Sequence, residues 1–387
     1  MTPELFRRLT QLRHDLHRIP EVSGQEARTA AFIEDTLTRH TPDSLISGLG
    51  GYGVAAVFDS GTPGPTVMIR CELDGLPIPE QSEARYRSTH EGRGHLCGHD
   101  GHMAIVAGLA DWLAARPLAR GRVVLLFQPA EETGKGAAAV LADPRFASIA
   151  PDYAFSLHNL PGLALGQVAI CAGPANCASR GMRIRLTGRT SHAAAPQDGI
   201  SPAGTLVRLL PDLAALGQGG DRGGDYALVT LTHARMGEAT FGIAPGEAEI
   251  WATLRTVTND RMEQLIAEAQ SVAGSVAAEQ GLHIDIDYDD VFDACTNHPT
   301  AVALLDRACK TAGTPAEIHH TPQRWSEDFG QFGASARAAM FWLGSGKDQP
   351  QLHNPDYDFP DAALPIGVAV FRAAIAAVLI ETSAGNR

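Results

Sequence analysis

Four runs in this chain, 66–71, 122–128, 153–157 and 339–343, are apolar with almost no alternation. A strand of that kind buries both faces, so its sheet must be covered on each side. Helical stretches lie between the runs. In 101–116, Ile105, Leu109, Trp112 and Leu113 fall on one helix face. Leu5, Leu9, Leu12 and Leu16 repeat that spacing over 4–18, and a second helix is expected over 26–40. Continuous apolar strands separated by helices predict an α/β domain built on a mostly parallel sheet.

The middle of the chain has a different rhythm. Residues 182–186, 227–232 and 247–255 alternate as half-exposed strands do, helical patterns cover 200–216 and 260–280, and the glycine-rich 217–224 is a loop. The order strand, helix, strand, strand, helix, strand predicts a small α+β domain of the ferredoxin-like kind, with helices on one face of four strands. Its expected limits are 178 and 291. It is then an insertion that divides the larger domain into 1–177 and 292–387.

Charge narrows the partners. Lys and Arg total 31 against 44 Asp and Glu, a net charge of −13, which argues against nucleic acid. No stretch holds the ~18–20 uninterrupted apolar residues of a membrane span, and the charged, amphipathic start lacks a secretory apolar core. The cysteines at 71, 97, 171, 177, 295 and 309 are scattered without a CxxC pair. Reduced thiols and a cytoplasmic location are the expectation.

Residues with metal-binding chemistry sit where the strands end. Cys97, His99, Asp100 and His102 lie in a glycine-rich stretch just before the 101–116 helix; Glu131 and Glu132 follow the second apolar run, His158 follows the third, and His353 lies beyond the fourth. In open parallel sheets the site lies beyond the carboxyl ends of the strands. Thiolate, imidazole and carboxylate together suit Zn, Mn, Co or Ni. Four distant segments thus deliver five ligands, a Cys, a Glu and three His, to one rim; these exceed the needs of one tetrahedral catalytic metal, and a pair sharing one ligand would use them all. Of two successive glutamates, one can bind metal while the other faces the water as general base.

Several of these segments, 97–104 (CGHDGHMA), 127–132 (FQPAEE), 156–162 (SLHNLPG), 191–196 (SHAAAP) and 352–359 (LHNPDYDF), resemble the metal-dependent amidohydrolases of the M20 peptidase family, in the branch of hippurate and auxin-conjugate hydrolases. The resemblance runs along nearly the whole chain. It implies that Cys97, His99, Glu132, His158 and His353 hold two divalent metals, usually Mn or Zn, with Cys97 in the bridging place. It implies Glu131 as the general base and His192 as the residue that binds the scissile carbonyl oxygen. It also implies that 178–291 is a dimerisation or lid domain, hence a homodimer or higher homo-oligomer. Arg255, at the end of a small-domain strand, is a candidate partner for a substrate carboxylate. The remaining five cysteines are expected to be buried, and the segment 326–329 (SEDF) to be structural.

Two departures stand out. Glu72 occupies a place where the branch usually has Asp, and Gly242 one where it usually has Asn. The activity implied is hydrolysis of an N-acyl amino acid or a related small amide bearing a carboxylate. The alternatives are a dipeptidase or N-carbamoyl amino acid hydrolase of the same family, or a catalytically silent binding protein. Intact Glu131 argues against silence.

Overall fold

The computed structural model describes residues 1–381. The chain divides into two compact units. The first comprises Met1–Ala175, Cys295–His320 and the chain from Asp328 onward; the second comprises Asn176–Ala294 with Thr321–Glu327.

The first unit is built on an eight-stranded mixed sheet. Its centre is Arg122–Gln128, Thr66–Glu72, Tyr153–Pro161 and Arg337–Gly346, side by side and mutually parallel. These four strands contain the four apolar runs of the sequence. Thr66–Glu72 is buried at every residue, and Ala338–Ser345 likewise within its strand. Antiparallel neighbours, Gly53–Asp59 on one flank and Val168–Cys171 on the other, extend the sheet. The apolar-run criterion did not single these out, because one is rich in Gly and Ala and the other is only four residues long. Helices Pro3–His17, His99–Ala115 and Leu364–Glu381 pack with the sheet into one core holding Leu16, Ile69, Leu125, Phe155, Phe341 and Phe371.

Leu364–Glu381 carries a stretch long and apolar enough to cross a membrane. Here that apolarity is used for packing: Leu364, Val368, Phe371, Ile375 and Val378 are all buried in the core.

In the second unit the sheet order is Ala227–Met236, Glu247–Thr256, Ala178–Thr187, His283–Phe292, antiparallel throughout. Helices Ala203–Ala215 and Asn259–Glu279 lie between those strands in sequence and share their core. This is the ferredoxin-like arrangement. A short additional pair, Ser191–His192 with Ile243–Ala244, branches from it.

Two local readings need correction. The helix read from residue 101 begins at His99, so His99, Asp100 and His102 belong to its first turn rather than to a preceding loop. Gly98 makes this possible: it caps the helix in the left-handed conformation, φ 91°, where a Cβ would stand 2.0 Å from the Asn159 Oδ1. His158 lies within strand Tyr153–Pro161 and does not follow it. Periodicity detects neither boundary, since the first turn is polar and the strand runs on through His158 and Asn159.

Candidate metal centre

Glu72, Glu131, Glu132 and His353 lie at or beyond the carboxyl ends of the parallel strands, His158 lies within its strand near the same end, and the Cys97–His99 turn meets them there. Ligand atoms of Cys97, His99 and His158 lie within 4.8 Å of one another, and so do those of Cys97, Glu132 and His353. The two groups share the Cys97 thiol. A third group joins His99 to Glu131 and Glu132. The Cys97 Sγ is 3.5 Å from the His158 Nε2, the His353 Nε2 is 3.5 Å from a Glu132 oxygen, and the His99 Nε2 is 3.9 Å from an oxygen of each glutamate.

The imidazoles are oriented by their far sides. His99 Nδ1 donates to the Asp74 carbonyl at 2.8 Å, and its buried Nε2 has no hydrogen-bond partner. His158 Nδ1 donates to the Asn159 carbonyl at 2.8 Å. In both, the backbone carbonyl fixes the tautomer that leaves Nε2 as the ligand atom. His102 behaves differently. Its Nδ1 lies 2.6 Å from a Glu72 oxygen and its Nε2 2.7 Å from the Asn159 Oδ1, so both nitrogens are engaged. His102 braces the centre instead of ligating there.

Electrostatics favour a cation. Burial, reinforced by Glu132 and Glu131, pushes the Cys97 thiol well above its ordinary value. Burial, reinforced by His102, pushes His158 well below the usual imidazole range. Burial also opposes charge on His99, but Glu72, Glu132 and Asp74 outweigh it and raise that imidazole. A buried thiol among carboxylates resists deprotonation unless positive charge enters, and a divalent cation supplies it. With the orphaned His99 Nε2, this donor set of S, N and O atoms fits a pair of borderline divalent metals.

The Glu72 departure is accommodated. Its carboxylate bonds to both Arg70 and His102. Burial would raise Glu72, but Arg70 and His102 hold its carboxyl well below the usual carboxylate range. Arg70 also binds Asp328 at 2.5 Å, and Asp328 accepts from the Ala137 amide at 2.8 Å. Asp328, of the SEDF segment, is thus a buried anchor.

The loops bearing the ligands are held against strain. Ala130 (φ 51°) and His353 (φ 67°) are two of the four non-glycine residues with positive φ among the described residues. Glu26 accepts from the Ala130 amide, Asp74 accepts from the Glu132 amide and the Ser23 hydroxyl, and the His353 amide donates to the Leu96 carbonyl. Behind the centre, Asp100 accepts from Arg13 at 3.0 Å and pairs with His17 at 2.8 Å.

Sequence reasoning missed Asp74, Asn159 and Glu26. Asn159 adjoins His158 and Asp74 lies two residues from Glu72, both singled out; nothing in the sequence around Glu26 signals its part. The five cysteines outside the centre are buried and form no disulfide among the described residues.

His192 and Arg255 belong to the second unit. His192 is exposed and paired with Ile243, and its Nδ1 accepts from the Ala194 amide at 3.0 Å, which leaves the proton on Nε2. A Cβ on Gly242 would meet nothing within 4 Å, so an Asn there would fit, and space does not explain the departure. Arg255 donates through Nη1 to the Arg324 carbonyl and the Ser326 hydroxyl.

The profile of peptidase family M20/M25/M40 matches residues 68–377. An N-acetylcysteine deacetylase of Bacillus subtilis (strain 168) is 27% identical over 376 residues, 97% of this chain and 97% of the relative. An N-acetyldiaminopimelate deacetylase of Streptococcus sanguinis (strain SK36) is 30% identical, covering 92% of this chain and 95% of the relative. Among solved structures, the Bacillus subtilis YXEP protein, a dinuclear metal-binding peptidase from the M20 family, superposes with a TM-score of 0.83 at 26% identity, covering 99% of this chain and all of that one.

Proposed function

The chain belongs to peptidase family M20/M25/M40, and from that premise we propose that it hydrolyses the amide bond of N-acyl amino acids, releasing a carboxylic acid and a free amino acid. The observation that carries this reading is the pair of ligand groups sharing Cys97, with Glu131 beside them. Cys97, His99, Glu132, His158 and His353 are the residues that would hold two divalent metals, Mn or Zn by the chemistry of the donors, with Co or Ni compatible. Two such cations supply Lewis acidity to a carbonyl and lower the pKa of a nearby water towards ~7.

The rest is done by side chains. Glu131 takes the proton of the attacking water and returns it to the leaving amine as the C–N bond breaks. His192, with its proton on Nε2, donates to the developing oxyanion. Arg255 pairs with the carboxylate of the substrate. We assign the second unit a role in dimerisation and propose that the enzyme works as a homodimer. The relatives' deacetylase names support the N-acyl amino acid class.

The test is a panel of N-acyl amino acids, dipeptides and N-carbamoyl amino acids assayed with Mn- and Zn-loaded protein. Hydrolysis of N-acyl amino acids above the other two classes is expected. Preference for dipeptides or N-carbamoyl compounds would overturn the substrate class, and inertness towards all three would overturn the activity.

A further inference from the structure

The buried face of helix Pro3–His17 carries a charge where an apolar residue would be expected. Its buried residues are Leu9, Arg13, Leu16 and His17, the spacing of a stripe that faces a core, and the Arg13 side chain is wholly enclosed. A guanidinium in that position is costly unless carboxylates meet it. Three do. Arg13 Nη1 donates to Asp100 at 3.0 Å and to Asp358 at 2.7 Å, and its Nε donates to Asp361 at 2.6 Å. The carboxylates are themselves held. Asp358 accepts from the Tyr86 hydroxyl at 2.5 Å, Asp361 meets His14 at 3.0 Å, and the Tyr86 ring stacks on His14 and lies 4.7 Å from the Arg13 guanidinium.

These carboxylates come from two stretches that carry different ligands. Asp100 follows His99 in the first turn of helix His99–Ala115. Asp358 and Asp361 lie in the segment that runs from His353 to helix Leu364–Glu381. The first stretch serves the group of Cys97, His99 and His158, the second that of Cys97, Glu132 and His353. Among the described residues, no other Arg or Lys pairs with carboxylates of both stretches. Without the guanidinium, Asp100 would face Asp358 and Asp361 as like charges, and their repulsion would part the stretches. His353 is the ligand that such a shift would move. Its backbone is held at φ 67° and its side chain is 48% exposed, whereas the His99 side chain is enclosed and fixed by the Asp74 carbonyl.

We propose that Arg13 is a positioning residue for one half of the metal centre. It holds the His353 stretch against the His99 turn, so the metal bound through Glu132 and His353 depends on it, and the metal bound through His99 and His158 does not. This rests on the two-metal reading of the centre.

The experiment titrates metal-free protein with Zn²⁺ against a chromophoric chelator and counts bound metal by elemental analysis. Wild type should take up two ions per subunit. Arg13→Met should keep the first affinity and bind the second ion about 10–100-fold more weakly, the usual cost of losing an outer partner of a ligand. Asp358→Ala combined with Asp361→Ala, at partly exposed side chains, should show the same selective loss, and it decides the matter if Arg13→Met does not fold. Leu9→Ala, buried on the same helix, removes packing without removing charge; it should lower the melting temperature and leave both affinities unchanged. Because Arg13 acts through His353, His353→Ala should weaken the second ion strongly on its own and add little in the Arg13→Met background. Three results would each overturn the proposal: equal loss of both ions in Arg13→Met, two undiminished affinities there, or a loss in Leu9→Ala as large as in Arg13→Met. A wild type that binds a single ion sinks the two-metal reading, and the proposal with it; two ions in wild type with any of the three results sinks the proposal alone.

Discussion

Glu131 and Glu132 are neighbours in sequence, yet the structure gives them different surroundings. Glu132 approaches His353 and shares a ligand group with Cys97, whereas Glu131 shares its group with His99 and Glu132. Glu131→Gln should therefore keep its metal and lose about 10²–10⁴ in kcat, the range for a positioned general base. Glu132→Gln should lose metal first. Metal content by elemental analysis beside initial rates separates the two, and reversed phenotypes would exchange the roles. Cys97→Ala should lower metal content and activity together, while Cys309→Ala, buried in the core away from the centre, should alter neither. These ligand positions were legible because Cys, His and Glu are conspicuous at the ends of apolar strands. Their supports were not: Asp74 acts on His99 through a backbone carbonyl, which any residue possesses, and Glu26 acts from a helix cap far away in sequence.

At the scale of elements, apolar pattern located the four central strands because burial on both faces leaves no room for alternation. The edge strands, and the exact start of helix His99–Ala115, depended on pairing and backbone geometry that pattern does not encode. That helix fits its place through Gly101, where a Cβ would come within 2.3–2.5 Å of the buried Phe359 ring. Gly101→Ala should cost about 1–3 kcal/mol by overpacking. Gly274→Ala, inside helix Asn259–Glu279 with nothing within 4 Å of the new Cβ, should instead stabilise by about 1 kcal/mol. Thermal denaturation compares the two. Helix His99–Ala115 is tied to Pro3–His17 by the Asp100–His17 pair. Burial disfavours charge on His17, but Asp100 and Glu80 outweigh it and raise the imidazole to about 10. A raised folded value means the pair stabilises fully below the unfolded value of 6.5 and is lost as pH climbs through about 10. The stability gap between wild type and His17→Gln should therefore be wide at pH 6 and close on the alkaline side. A gap that stays constant with pH would show that His17 is held by packing alone.

At the scale of the whole molecule, the proposed metal ligands fall in one unit and His192 in the other. That separation is a property of the chain, and a homodimer gives it a consequence that can be measured. In a two-fold dimer each second unit is available to the neighbouring subunit. We expect His192 to serve the neighbour's centre. A His192→Ala protein and a Glu131→Gln protein would then each be inactive as homodimers. In a mixed dimer, the centre with an intact Glu131 receives an intact His192 from its partner, while the other centre lacks both. Random exchange of equal amounts makes about half the dimers mixed, each with one working centre, so about a quarter of wild-type activity should return on mixing. Service within the same chain predicts no recovery at any ratio, because each chain then carries its own defect. Recovery that grows with the rate of subunit exchange supports the arrangement across subunits; exchange seen by mass spectrometry without recovery rules it out.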